Sequence, residues 1–354
     1  MNGKAMRGTL SAVGGVIIGL GLGLLVVWAA GENPIHVMRI LARGAFGTRY
    51  DLGMTLFYST PLIFTGLSVA VVFRGGMFNI GAEGQLTMGT LAAAAAGILM
   101  PFLPPVVAPI AAWLCATLVG GAWGAIPGWL RARRGSHEVI NTIMLNFIAA
   151  GLCSYLALYP FRNPLSQNPE TREVAGQFKL APFPFFEGAP VGWALPIALL
   201  MALLVWVLLW RTVMGFEWRS VGLNETAART AGIDVARARI GVFALAGALA
   251  GMVGVAEVLG NSGRFRVGFS PEYGFMGIAV ALLGRNHPVG VIAAALLLGA
   301  LHKGAAELDL ETERVTRDVS LVFQGLIILC VSAEGWWFQI SRRNRTIGPP
   351  SPTR

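Results

Sequence analysis

Long apolar runs separated by short charged islands set the pattern of this chain. Residues 10–30, 52–73, 139–161 and 188–210 carry no charged side chain, and each matches or exceeds the roughly 20 residues that cross about 30 Å of hydrocarbon as a helix. The stretch 84–130 is uncharged as well, and Pro101, Pro104 and Pro105 divide it into two spans, which makes six crossings. Residues 240–256 and 319–333 are shorter but are extended by flanks that an interface tolerates, giving eight. One segment differs. Residues 274–284 are apolar but only half a membrane thick; Arg285, Asn286, His287 and Pro288 interrupt them, and 289–301 resumes the apolar run. That pattern predicts a helical hairpin dipping into the bilayer, because a polar, proline-broken turn at depth is tolerated only inside protein or beside water.

Composition narrows the class further. Hydrophobic residues make up 55% of the 354 and charged residues 13%, against about 25% charge in a soluble domain, which excludes a soluble protein. The expectation is an all-α integral membrane protein: a polytopic helical bundle of eight full spans plus a broken hairpin, eight to ten transmembrane elements, with 1–354 as a single transmembrane domain. Basic residues orient it. With the N-terminus inside, the Arg-rich islands 131–134 and 211–239 fall on the cytoplasmic side, as the positive-inside rule requires. The C-terminus is then cytoplasmic too, where Trp336, Trp337 and Phe338 form an aromatic belt ahead of Arg342, Arg343 and Arg345. The net charge of +9 belongs to this membrane face, not to a nucleic-acid surface. Lys4 and Arg7 precede a first apolar run that is long for a signal peptide and lacks a convincing cleavage site, so an uncleaved first helix is expected. Residues 31–51 read as an amphipathic helix on the outer surface, with Ile35, Met38, Leu41 and Phe46 interleaved with Arg39 and Arg43.

Polar residues within the apolar runs gather in three places. The first is 74–85, where Gly75, Gly76, Gly81 and Gly84 alternate with Asn79, Glu83 and Gln85; no continuous lipid-facing helix accommodates it. A charge at the centre of a spanning helix costs about 2.5–3.5 kcal/mol, so Glu83 must be paired, hydrated or near an interface, and Arg74 is its nearest candidate partner in sequence. The second is Asn141, Thr142 and Asn146, where Thr142 and Asn146 share a helical face that either lines a polar path or bonds between helices. The third is the turn at Arg285, Asn286 and His287, in which the histidine reads as a turn residue. A short internal echo relates 66–74 to 277–285, each an apolar run ending in one of the interrupted segments, an arrangement by which transporters expose backbone dipoles to a solute. Gly19 and Gly23, Gly120 and Gly124, and Gly247 and Gly251 have the spacing that lets helices approach closely.

Two loops stand out. The extracytoplasmic loop 160–190 is proline-rich and mixed in charge, and reads as an irregular cover. The cytoplasmic loop 211–239 contains a short Ala-rich helix, with Asn224 as N-cap and Gly232 as its stop; a two-turn helix gains order only by docking, either on its own bundle or on a partner. No phosphate-binding G-x-x-x-x-G-K-[ST] run, nucleophile elbow or metal-ligand set is present, and Cys115, Cys153 and Cys330 lie in apolar runs as small hydrophobes. No catalytic residue and no metal site is expected, and no cofactor in this chain.

Four ordered motifs carry a resemblance. VVFRGGMFNIGAEGQ at 71–85, EVINTIMLN at 138–146, VGLNETAAR at 221–229 and GIAVALLGRN at 277–286 resemble the permease subunits of bacterial ABC importers, in the subgroup related to branched-chain amino acid and ribose permeases and closest to its nucleoside and simple-sugar members. Similarity extends over about 50–340. It implies a multi-pass protein of the bacterial cytoplasmic (inner) membrane that moves a small polar solute by alternating access. It also implies a cytoplasmic ABC ATPase that holds the ATP and Mg, a second permease subunit in a homo- or heterodimer, and an extracytoplasmic solute-binding protein or lipoprotein. By the same resemblance Val221, Gly222, Glu225, Ala228, Arg229 and Gly232 couple to the ATPase. Asn79, Glu83, Gln85, Asn146 and Asn286 are the candidate path contacts. His287 departs from the neutral polar residue expected there. Branched-chain amino acid cargo remains an alternative within this reading, and an ion-gradient transporter using Glu83 or Glu257 as a proton site remains one outside it.

Overall fold

A computed structural model describes the backbone of residues 3–312 and 314–333, with side chains from residue 12 onward. The expected aromatic belt and basic tail at 336–345 lie outside the described residues. The helices in chain order are α1 (Gly3–Ala29), α2 (Pro34–Phe46), α3 (Arg49–Arg74), α4 (Ala82–Leu99), α5 (Val107–Arg134), α6 (Glu138–Leu158), α7 (Ala194–Arg211), α8 (Val213–Leu223), α9 (Glu225–Thr230), α10 (Val235–Gly251), α11 (Tyr273–Leu283), α12 (Pro288–Ala305), α13 (Leu308–Glu311) and α14 (Val319–Ser332). A π-helical stretch, Val255–Ser262, carries α10 onward. Extended pairing among the described residues is confined to two isolated bridges, Arg162 with Thr171 and Glu170 with Arg266. The all-helical membrane bundle is thus the architecture.

The spans are distributed differently from the sequence reading. Seven described helical stretches are long and apolar enough to cross a membrane: 12–29, 49–74, 107–134, 138–158, 194–211, 235–262 and 288–311. The second arm of the expected hairpin is therefore a full-length helix, whereas the first, α11, has 11 residues. Two of the eight expected crossings are not among these seven: α14 has 14 residues, and α4, 18 residues long like α7, carries the polar Glu83 and Gln85 in its first turn.

The chain separates into two compact units, one from the described parts of 1–42 and 304–354, the other from 43–303. In the first, α1 packs on α14 through its small residues: a methyl at Gly15 would meet Val331, one at Gly19 Ile327 and one at Gly23 Phe323. In the second, α3 and the α10 stretch are the central pillars, mostly buried along their apolar lengths, while α5 and α6 bury only a few residues each. The uncovered faces, with Leu118, Phe147 and Ile148 among their exposed side chains, suit lipid or another membrane subunit.

Two features of the larger unit position its interior. On one side, α5 and α10 meet glycine to glycine: a methyl at Gly124 would lie 2.9 Å from the Cα of Gly247, and one at Gly120 2.9 Å from that of Gly251. Two of the three glycine pairs singled out in the sequence thus face each other, and backbone packs directly on backbone. On the other side, the echoed segments of α3 and α11 lie side by side and run the same way, Gly277 against Thr65 and Gly66 against Val280. Each ends in the same type of turn. Met77 N–H donates to the Val72 carbonyl and Asn286 N–H to the Ala281 carbonyl, with Gly76 (φ 73°) and Arg285 (φ 55°) in the left-handed region, the geometry of a Schellman stop.

Candidate translocation site and coupling element

The segment 75–81 leaves the end of α3 and folds back beside it. Asn79, fully buried, donates to Ser68 Oγ (3.4 Å) and forms a reciprocal amide pair with Gln85 (2.9 and 3.2 Å), while its Oδ1 also accepts from Gly81 N–H (3.1 Å). This closed network fixes where α4 begins. Its first turn is then secured from outside: Asn146 of α6 accepts from Gly84 N–H (2.8 Å) and donates to the Ile80 carbonyl (2.9 Å). Thr142, one turn earlier on the same face, is buried against Gly81 and returns its hydroxyl to the Glu138 carbonyl.

Glu83 meets a different partner from the one its sequence neighbours suggested. Its carboxyl accepts from Gly274 N–H at 2.7 Å and is hydrogen-bonded by the Ser270 hydroxyl, whose oxygen in turn accepts from Tyr273 N–H (3.0 Å). Glu83 thus caps the first turn of α11. Arg74, meanwhile, donates from Nε to the Asn286 carbonyl (3.0 Å) and from Nη2 to the Arg285 carbonyl (3.1 Å), beneath the Trp210 ring. The reason is geometric: α3 runs a further turn and a half past Ser68, which carries Arg74 away from the level of Glu83 and down to the turn that closes α11.

Beside this junction lies a cavity of ≈ 160 Å³. Glu83, Gly84 and Thr87 of α4 line one wall, Asn146, Cys153 and Ser154 of α6 another, and Phe265, Phe269 and Ser270 of the returning segment 263–272 a third. Of the five candidate path residues, the fold brings Glu83 and Asn146 to this cavity. Asn79 and Gln85 are locked behind it, and Asn286 lies at the α11–α12 turn. There His287 caps α12, its Nδ1 accepting from Val289 N–H (3.3 Å), and stacks against Trp210.

The wall formed by 263–272 is itself tied to the outer loop. Glu170, 3% exposed, accepts from Arg264 (2.7 Å) and Arg266 (3.3 Å). Backbone bonds join Thr171 to Phe265, Val174 to Gly263 and Val267 to Pro169. Burial alone would raise the Glu170 carboxyl, but hydrogen bonds from Arg264, Ser166 and Arg266 hold it below the ordinary carboxylate range. The loop read as an irregular cover is therefore a pinned lid over the returning segment. The pairing residues are nearly 100 positions apart, and no local pattern in the sequence marks them.

On the cytoplasmic side, α8 and α9 form the loop's helical element. Thr212 and Asn224 cap them, accepting from Gly215 and Ala227 N–H. Val221 and Ala228 face inward and are buried. Glu225 bridges Arg229 (2.9 Å) and Arg239 (2.6 Å), Arg229 and Gly232 face outward, and Leu223, which the sequence reading passed over, is 89% exposed. Gly222 abuts the turn after α3: a methyl on Gly76 would lie 2.7 Å from the Gly222 Cα.

Comparison with known proteins fits this arrangement. The family model described as "Branched-chain amino acid transport system / permease component" matches residues 52–332. The guanosine ABC transporter permease protein NupP of Bacillus subtilis is 36% identical over 90% of this chain and 91% of its own length. The glucose ABC transporter permease protein TsgB13 of Haloferax volcanii is 33% identical over 89% and 84%. The nucleoside ABC transporter permease protein NupB of Lactococcus lactis is 34% identical over 86% and 85%.

Proposed function

Since this chain belongs to the branched-chain amino acid transport system permease family, we propose that it carries a neutral hydroxylated solute, a nucleoside or simple sugar, through the cavity beside Glu83 and Asn146. Membership makes it a multi-pass permease subunit of an ABC transporter in the cytoplasmic membrane, with ATP hydrolysis on a separate subunit and, as in the family generally, a substrate-binding protein as partner. The cargo class rests on the guanosine, nucleoside and glucose permeases that resemble it and on a cavity that combines hydroxyl and amide groups with two phenyl rings, suited to weak, reversible contacts.

A loaded binding protein docks on the outer face, over the lid at 160–193. Inside, the ATPase engages α8 and α9, a second permease subunit covers an exposed membrane face, and closure of the ATPases on nucleotide moves the coupling element. Val221 and Ala228 hold that element on the bundle, Arg229 and Gly232 present it, and Glu225 braces Arg229 against Arg239. Gly222 passes the displacement to the turn at Gly76 and so to the segment that carries Asn79, Gln85 and Glu83. Arg74 links the same turn to Asn286, so both broken elements move together and the path opens to one side at a time.

The contact of Gly222 with the Gly75–Gly76 turn is the observation that carries this mechanism. Its test is ATP-driven uptake in proteoliposomes holding the permease with its companion, ATPase and binding protein. Arg229→Glu is expected to lower uptake at least about tenfold, equivalent to about 1.4 kcal/mol of coupling, while the permease stays folded. Normal ATP-driven uptake by that variant, or uptake by the wild type on an ion gradient without ATPase, would exclude the mechanism.

A further inference from the structure

Broken helices in transporters usually leave their N-termini open, so that unpaired N–H groups and the positive end of the dipole face an anionic part of the solute. Here two such N-termini, those of α4 and α11, touch at the cavity: a methyl at Gly274 would collide with the backbone of Glu83. Yet neither is open. The Gly84 N–H of α4 is taken by Asn146 Oδ1, whose amide nitrogen is also engaged, at the Ile80 carbonyl. The Gly274 N–H of α11 is taken by the Glu83 carboxyl, and the Tyr273 N–H by Ser270.

We propose that Glu83 stands in an anion's place: its carboxyl group fills the site between α4 and α11 where a solute's carboxylate or phosphate would dock, so the path accepts uncharged solutes and turns anionic ones away. The Gly84, Tyr273 and Gly274 N–H groups that an anion would use are already bonded, and a carboxylate brought beside Glu83 would have to compete with it for them. This deepens the permease reading and rests on the cavity lying on the path. It separates neutral, hydroxyl-bearing cargo from branched-chain amino acids, whose carboxylate would have to compete with Glu83 for the same N–H groups.

Chemical rescue tests it in the complete importer in proteoliposomes. Glu83→Ala opens the N-terminus and is expected to lose about tenfold or more of uptake, each tenfold being about 1.4 kcal/mol, and Glu83→Gln, which keeps an acceptor for Gly274, is expected to lose less than Glu83→Ala. Added acetate, small enough for the vacated space, should restore much of the Glu83→Ala loss, and equal chloride should not. An assembled Glu83→Ala complex that transports like wild type, or that acetate does not restore, overturns the proposal. If Glu83→Ala fails to assemble, the wild type decides: acetate and inorganic phosphate should leave uridine or glucose uptake unchanged, and competitive inhibition by either overturns it. Absence of ATP-dependent uptake of any neutral solute by the wild type would instead sink the permease-path reading.

Discussion

The α5–α10 seam and the α4–α11 junction are both built on close glycine contacts, and they do opposite work. At the seam, Gly120 and Gly124 lie against Gly247 and Gly251 along uninterrupted helices. Packing there is backbone on backbone, with no side chain whose rotamer could change, which leaves the contact a single arrangement. At the junction, two helices begin instead of passing. Gly274 lets their first turns touch, and a polar side chain from a neighbour meets one N–H of each, Asn146 at Gly84 and Glu83 at Gly274. Such bonds exchange for others at low cost, and the cavity gives them room. Glycine thus makes a seam of backbone contacts in one place and a polar junction of helix ends in the other.

Substitutions that fill the seam should have the largest effect. Gly247→Leu places a branched side chain against the Gly120 carbonyl and the Gly124 Cα, and the overpacking is expected to cost about 3 kcal/mol or more. It should appear as a marked drop in the thermal unfolding midpoint in detergent; an unchanged midpoint would mean that the seam is not the scaffold. The same measurement on Glu83→Gln should show little change, since the junction keeps its hydrogen bonds.

The lid comes next, since it holds one wall of the cavity. Glu170→Gln weakens two charge-assisted bonds to Arg264 and Arg266, each class of bond being worth about 1.5–3 kcal/mol. Amide exchange in 163–180 should accelerate while the seam stays protected. Acid should do the same in the wild type. Because the folded Glu170 carboxyl lies below its ordinary value of 4.5, the unfolded loop binds the proton more readily. The stabilisation is therefore present above pH 4.5 and is lost as pH falls through the lower, folded value. Exchange in 163–180 that is flat from neutral pH to well below 4.5, after correction for intrinsic rates, would remove Glu170 from the latch. Asn224→Ala should have the smallest effect, about 1 kcal/mol for a lost N-cap, confined to α9 and read as local exchange near 225–230.

Much of this was legible in the residues. The broken segments showed as glycine and polar clusters inside apolar runs, the seam as two pairs of glycines four apart, and α9 as a capped Ala-rich helix in an Arg-rich loop. The partner of Glu83 was not legible. Arg74 was the nearest cation in sequence, but the carboxyl found a backbone N–H, and every residue except proline carries one of those. Nor did the sequence disclose the lid, whose ion pairs join residues far apart along the chain. The span count differed because an uncharged run registers as apolar length, whereas α4 begins with Glu83 and Gln85 and α14 has only 14 residues.

The meeting of Gly76 with Gly222 has a mechanical corollary. Two backbones that touch without intervening side chains have no soft spacer to absorb a small push, because protein interiors compress little. A shift of a few tenths of an ångström imposed at the membrane surface would reach the far end of the turn almost undamped. If the proposed coupling runs through this contact its stroke can be short, and a single added methyl at either glycine would have to push the two backbones apart.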